Sequence, residues 1–334
     1  MRQLVVVVAL ILAACAGQPG GPPVETIGTA SPFISGDTLI MDDGAKLPLR
    51  AWLPAGKPRA VIVALHGFND YSNAFDGPAK DWVKHGVATY AYDQRGFGKA
   101  PERGHWAGTW RLDADLAEAT RVIRARYPGV PLYALGESMG GAVVITAVAG
   151  AAGAPRPQVD GIVLVAPAVW GRVTMSMFER IGLWTGGTLF PGLELTGRGL
   201  DITPSDNRPM LRALARDPLV IKATRVDTVK GLVDLMDMAL AAAPKIAKVP
   251  MLLLYGQHDD IVPHTPTRLF ITDLNEPERA ESQIALYEHG YHMLLRDLDA
   301  RIVITDVAAW IGDHRAGLPS GADRRAKEGG PIQG

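Results

Sequence analysis

Four short runs at 60–65, 87–92, 132–136 and 161–165, apolar at nearly every position and separated by helix-like or loop sequence, set the pattern of the first half of the chain. A run this short with no polar alternation reads as a strand buried on both faces, and such strands belong to a parallel sheet covered by helices. Helices are legible between the runs. One ends near His85, an amphipathic one covers 112–126 with Asp113 and Asp115 in its first turn, and a small-residue one covers 140–151. Ahead of them, 38–41 and 47–52 flank Asp42-Asp43-Gly44 and read as a hairpin. The fold class is therefore α/β, a mostly parallel sheet with helices on both faces. The rhythm stops over 168–245, a stretch rich in Met, Trp, Gly and Pro with no strand signal. It resumes with strands at 251–255 and 284–287, a helix capped by Thr265 with Pro266 at its first position, and a last helix over 301–313. The chain so divides into a core over 36–167 and 246–313, an inserted cap over 168–245, and a Gly-, Pro- and charge-rich tail over 314–334 that is expected to be disordered.

Charge and cysteine content narrow the function. The 334 residues include 34 Lys or Arg and 35 Asp or Glu, a balance without the basic excess that grips nucleic acid, so no nucleic-acid partner is expected. A single cysteine excludes a disulfide framework and any multi-cysteine metal site. His289 and His292 beside Glu288, and His258 beside two aspartates, lack the H-E-x-x-H pattern, so neither metal nor other cofactor is expected. The cysteine itself, Cys15, falls near the end of an apolar run, 4–16, that follows Arg2. That run is shorter than the roughly 20 residues needed to span a bilayer, and it reads as the apolar region of a signal peptide. Leu12-Ala13-Ala14-Cys15 resembles the bacterial lipobox. The resemblance implies a signal peptide over 1–14, an acylated Cys15, a flexible tether over 15–35 and a lipid-anchored place in the cell envelope. With Ala16 after the cysteine, that place is the outer membrane in a Gram-negative cell.

The chemistry centres on Gly136-Glu137-Ser138-Met139-Gly140, which lies between a strand and a helical Gly/Ala run and matches the nucleophile elbow G-x-S-x-G. A serine hydroxyl needs a base, and the base needs an orienting carboxylate; on this kind of sheet the chain order is Ser, Asp or Glu, then His. Asp259 and Asp260 follow the strand at 251–255, and His289 and His292 follow the strand at 284–287. An earlier histidine, His66 in His66-Gly67-Phe68, follows the strand at 60–65. One oxyanion donor is the N–H after the nucleophile, Met139, and a second comes from the loop after an early strand.

These pieces, with Tyr92-Asp93-Gln94-Arg95-Gly96-Phe97-Gly98 and Tyr291-His292, resemble the monoacylglycerol lipase and lysophospholipase branch of the α/β-hydrolases, in family order from about 36 to 313. The resemblance implies an α/β-hydrolase fold, Asp259 as the acid with Asp260 at the rim, and His292 as the base with His289 a polar loop residue. It also implies Phe68 as the second oxyanion donor, His66 as a structural residue of the oxyanion loop, and Asp93 with Arg95 as a loop-bracing pair.

In the cap, Phe178 and Ile181, and Leu232, Leu235 and Met236, fall at helical spacing, and Met175, Phe178, Trp184 and Met236 are expected to wall an acyl chain. The expected substrate is a lipid-like ester, first a monoacylglycerol. A lysophospholipid stands second, its phosphate met by Arg172, Arg180 or Arg198. A serine peptidase of the same fold is more distant, and the intact Ser, Asp and His order argues against a non-catalytic lipid carrier.

Overall fold

The computed structural model describes residues 28, 30–197, 202–246, 249–274 and 282–328. The signal peptide, Cys15 and most of the expected tether lie outside these residues, as does Arg198. The strands are β1 (Phe33–Ser35), β2 (Thr38–Ile40), β3 (Lys46–Trp52), β4 (Ala60–Leu65), β5 (Val87–Tyr92), β6 (Leu132–Glu137), β7 (Gly161–Val165), β8 (Glu194–Thr196), β9 (Ala223–Arg225), β10 (Met251–Gly256) and β11 (Ser282–Tyr287). The helices are α1 (Asp76–Lys84), α2 (Thr109–Arg126), α3 (Met139–Ala149), α4 (Met177–Leu189), α5 (Arg208–Arg216), α6 (Val226–Ala242), α7 (His264–Asp273), α8 (Ala300–Gly312) and α9 (Ala322–Glu328).

Among the described residues the main sheet runs β1-β2-β3-β5-β4-β6-β7-β10-β11. The first three strands form an antiparallel flap joined antiparallel to β5, and every pairing from β5 to β11 is parallel. Alternation along β4 explains the two layers. Val61, Val63 and Leu65 join a core with Leu116 and Ile123 of α2 and Val143 and Val144 of α3. Ala60, Ile62 and Ala64 join a second core with Trp82 of α1 and Val307 and Trp310 of α8. Because side chains alternate across a strand, both sets are buried, which is why the sequence is apolar without a period of two. Every residue of α3 is buried, since it is wedged between the sheet, α2 and α6.

Register places the loops that matter. Leu65 pairs with Gly136 at the ends of β4 and β6, and Gly256 pairs with Tyr287 at the ends of β10 and β11. The loop after β4 therefore emerges beside the serine turn, and the loops after β10 and β11 emerge side by side, all at the carboxyl edge of the sheet.

Several expectations are corrected. The first helix turn was expected to hold Asp113 and Asp115, but α2 begins at Thr109 after Gly108 (φ 90°). Both aspartates therefore lie beyond that turn and are buried. Asp113 accepts from Thr146 Oγ1 at 2.7 Å, with burial pushing its carboxyl well above 3.8, while Asp115 accepts from Arg95 and Arg111. Thr265 does not cap its helix: α7 starts at His264, so Pro266 is its third residue. A proline there is harmless, because none of the first four N–H groups has an intrahelical partner. The cap, expected to lack strands, contains the antiparallel pair β8 and β9; three-residue strands paired across some 30 positions leave no periodic signal.

The tail is the largest departure. Residues 315–328 were expected to be disordered, yet Leu318 and Ala322 are buried in the second core and α9 packs on the edge strand β11. Asp323 accepts from Leu318 N at 3.2 Å and from Gln283 Nε2 at 3.0 Å, which ties the segment down. Its polar composition hid two apolar anchors that only a neighbouring strand could bury. We expect backbone amides of 318–326 to exchange far more slowly than a free chain. Leu318→Ala should lower stability by about 2 kcal/mol in urea titration; free-chain exchange there would contradict the docking.

Candidate active site

Ser138 sits at the break between β6 and α3 with φ 54° and ψ −117°, a backbone state that a residue with a Cβ rarely adopts. The flanking glycines allow it. A Cβ on Gly140 would lie 2.1 Å from the Leu65 carbonyl oxygen, and one on Gly136 would lie 2.3 Å from the Gly140 backbone. The turn is held by Ser138 N donating to Val165 O at 2.9 Å, while Ser138 O accepts from Ala168 N at 3.0 Å. As the first helical residue, Met139 presents an N–H with no intrahelical partner. Gly67, just before Phe68, packs so closely that its Cβ would stand 3.3 Å from Ser138 Cβ.

His292 and Asp259 meet across the paired ends of β10 and β11. His292 Nδ1 and Asp259 Oδ2 are 2.9 Å apart, with both residues only 4% exposed. The other oxygen, Asp259 Oδ1, accepts from the N–H groups of Ile261 and Val262, each at 2.9 Å. This orients the carboxylate before the histidine is considered. Asp260 is exposed and accepts from Thr203 N, and His289 is exposed in a separate pocket beside Glu288 and Arg301, so neither reaches the serine turn. Burial lowers the proton affinity of His292. Asp259, by charge and hydrogen bond, and Glu137, by charge, more than reverse this, and the imidazole sits above its ordinary 6.5.

Both ring nitrogens of His66 are engaged with main chain: Nε2 accepts from Gln94 N at 2.9 Å and Nδ1 lies 2.8 Å from Gly67 O. Buried and held low by that burial, it braces the loop rather than facing the cavity. Asp93 and Arg95 both brace loops but do not pair with each other. Asp93 accepts from Ser72 and from Lys99 N, and Arg95 bridges Asp43 and Asp115.

A cavity of about 470 Å³ opens above Ser138 and His292. Its apolar wall is Phe68, Met175, Leu183, Leu232, Val233 and Met236. Of the four cap residues expected there, Met175 and Met236 are present. Phe178 and Trp184 are not: they are 82% and 65% exposed on the outer side of α4, because that helix turns Leu183 inward and carries the rest of its apolar stripe to the surface. Sequence reading missed the polar floor, Asp70, Glu137 and Arg296, where Arg296 donates to Asp70 Oδ2 at 2.6 Å and to Glu137 Oε2 at 3.1 Å. Glu137 lies inside the serine motif and Arg296 four residues past His292, but pairings across 226 and 159 positions carry no local signal. Arg172, offered to a phosphate, is instead bound by Asp234 and Asp237. Arg180 is exposed and does not line the cavity.

The parallel sheet, the serine turn and the histidine and aspartate loops at its carboxyl edge define an α/β-hydrolase fold. The chain belongs to the family described as serine aminopeptidase, S33, whose profile matches residues 56–299. It is similar to the monoacylglycerol lipase of Mycolicibacterium smegmatis, 26% identical over 285 residues covering 81% of this chain and 94% of that protein. It is also similar to the human monoglyceride lipase, 27% identical over 83% of this chain and 90% of that protein. Among solved structures, a soluble variant of the Saccharomyces cerevisiae monoglyceride lipase, in complex with a substrate analog, superposes with a TM-score of 0.69 at 20% identity. That superposition covers 90% of this chain and all of that one.

Strain at Ser138 yields a stability test. Glycine relieves the backbone and alanine does not, so Ser138→Gly should be more stable than Ser138→Ala by about 1 kcal/mol, even after the glycine's extra unfolded-state entropy. Equal urea midpoints for the two variants would refute the strain.

Proposed function

We propose that the protein is a carboxylic ester hydrolase that cleaves the acyl ester of single-chain neutral lipids, first monoacylglycerols, through Ser138, His292 and Asp259. Ser138 Oγ attacks the ester carbonyl carbon while His292 takes its proton, and Asp259 holds the imidazole in the tautomer that presents Nε2 to the serine. The N–H groups of Phe68 and Met139 receive the oxyanion. Collapse breaks the bond to the alcohol, which leaves with the proton from His292. A water then attacks the acyl-serine by the same route, releasing the fatty acid and restoring the hydroxyl.

The observation that carries the substrate class is the cavity itself. Its upper wall is largely apolar and rich in adaptable side chains, and among the described lining residues the one guanidinium or ammonium, that of Arg296, is already bound by two carboxylates. Among the described residues a phosphate head group would find no free positive partner there, whereas glycerol hydroxyls need none. The outer side of α4, with Met177, Phe178, Ile181 and Trp184 exposed, supports access to substrate held in a lipid surface. Anchoring through an acylated Cys15 in the cell envelope, at the outer membrane of a Gram-negative cell, belongs to the same proposal. The intact mass of membrane-extracted protein tests it: a chain starting at an acylated Cys15 is expected, and an unmodified N-terminus would refute it.

The activity is tested by offering monoacylglycerol, lysophosphatidylcholine, a short aryl ester and an aminoacyl-arylamide to wild type and Ser138→Ala. Monoacylglycerol should be preferred and Ser138→Ala inert. Preference for the lysolipid would move the assignment to a lysophospholipase, and turnover of the arylamide alone would move it to a peptidase. Because the base must be neutral and His292 is raised above 6.5, kcat/KM should fall as pH drops through a value above 6.5 and level off at higher pH. An acid limb centred below 6.5 would contradict the assignment of His292.

A further inference from the structure

On the cavity floor one guanidinium is held between a carboxylate of the loop after β4 and one at the end of β6. Arg296 belongs to the loop after β11, which also carries His292. Its Nη1 donates to Asp70 Oδ2 and its Nη2 to Glu137 Oε2. Asp70 lies two residues past Phe68 in the loop after β4, and its Oδ1 accepts from Tyr71 N at 2.9 Å. Glu137 is the last residue of β6, directly before Ser138, and is 2% exposed. The main-chain oxygen of Arg296 accepts from Asn207 Nδ2, the cap residue of α5, at 2.8 Å.

We propose that Arg296 is a positioning residue for the hydrolytic site: through Glu137 and Asp70 it sets the placement of the His292 loop against the serine turn and the oxyanion loop. This rests on the reading of Ser138 and His292 as the reacting pair. The sheet alone does not set that placement directly. β4 and β6 are neighbours, but β7 and β10 stand between β6 and β11. Each neighbouring pair of strands is rotated by roughly −20 to −25°, so the position of the His292 loop over Ser138 accumulates three such steps. A guanidinium fork spanning the two loops removes that freedom. Its planar, fixed donors can meet two carboxylates in set directions, which an ammonium cannot.

The same residue also acts on charge at the imidazole. The charged or titratable groups around His292 are Asp259 after β10, Glu137 on β6, Asp70 after β4, Asp297 and Arg296 in its own loop, and Glu179 on α4. Arg296 is the cation among them, and it opposes the proton that Asp259 and Glu137 favour. A residue that only filled space would change rate or stability without moving the protonation of His292.

The test follows kcat and kcat/KM on a short soluble ester against pH, with the His292 imidazole titration read by NMR, in wild type, Arg296→Gln, Arg296→Lys and Glu137→Gln. Arg296→Gln should lower kcat by roughly 10²-fold through misplacement. It should also displace the acid limb and the imidazole titration from their wild-type positions. Arg296→Lys should return the titration toward wild type while kcat stays low, and Glu137→Gln should move the titration down. Wild-type kcat and titration in Arg296→Gln would overturn the proposal, as would an unmoved titration in both Arg296→Gln and Glu137→Gln. If Arg296→Gln does not fold, the near-isosteric Glu137→Gln decides by the direction of its shift. Absence of esterase activity in the wild type would defeat the hydrolase reading instead, and the NMR titrations would still decide on Arg296.

Discussion

A Cβ on Gly140 would stand 2.1 Å from the carbonyl oxygen of Leu65, and the serine turn depends on that space remaining empty. Helix α3 can start directly at the end of β6, hard against β4, only because both glycines of the motif lack side chains. Ser138 is left at φ 54°, a costly conformation that persists because its N–H and C=O are fixed to Val165 and Ala168 and because α3 is buried along its whole length. The strain lifts the serine hydroxyl above the sheet edge and aims the first N–H of α3 at the same region. The position of the serine hydroxyl and of an unpaired helix N–H thus follows from one close backbone contact.

Around that contact several buried charges are paired. Asp259 is oriented by two main-chain N–H groups before it meets His292, Arg296 is shared by Asp70 and Glu137, and Arg95 with Arg111 answers Asp42, Asp43 and Asp115 at the flap. Ion pairs of this depth gain little net stability, since desolvation offsets much of their attraction. Their direction is what they contribute, because a buried charge left without its partner is expensive, and so each pair admits few alternative loop placements. Near His292 this also sets proton affinity, with carboxylates favouring the imidazolium and burial and Arg296 opposing it.

Much of this is legible in the sequence. The strands at 60–65 and 87–92 run at the expected positions because they are apolar on both faces, and the serine motif lies between strand and helix where its glycines require it. Errors fall where the deciding contact is distant in sequence. Phe178 and Trp184 have the composition of a lipid-binding wall but face outward, since the phase of α4 is set by which side meets α6. Leu318 and Ala322 sit in a polar stretch that reads as disorder until β11 supplies a surface for them. The β8 and β9 pair is too short to be periodic at all.

The sequence by itself determined the α/β class, the order of the layers and the serine turn, because these follow from local hydrophobic period and from the steric needs of glycine. Asp259, which the family resemblance singles out over Asp260, needed the tertiary structure only to bring it against His292. Only the tertiary structure decided that Arg296 joins Asp70 to Glu137 and which cap residues line the cavity. Those choices depend on strand register and helix phase, which bring together side chains separated by 226 and 159 positions, and no local pattern records them.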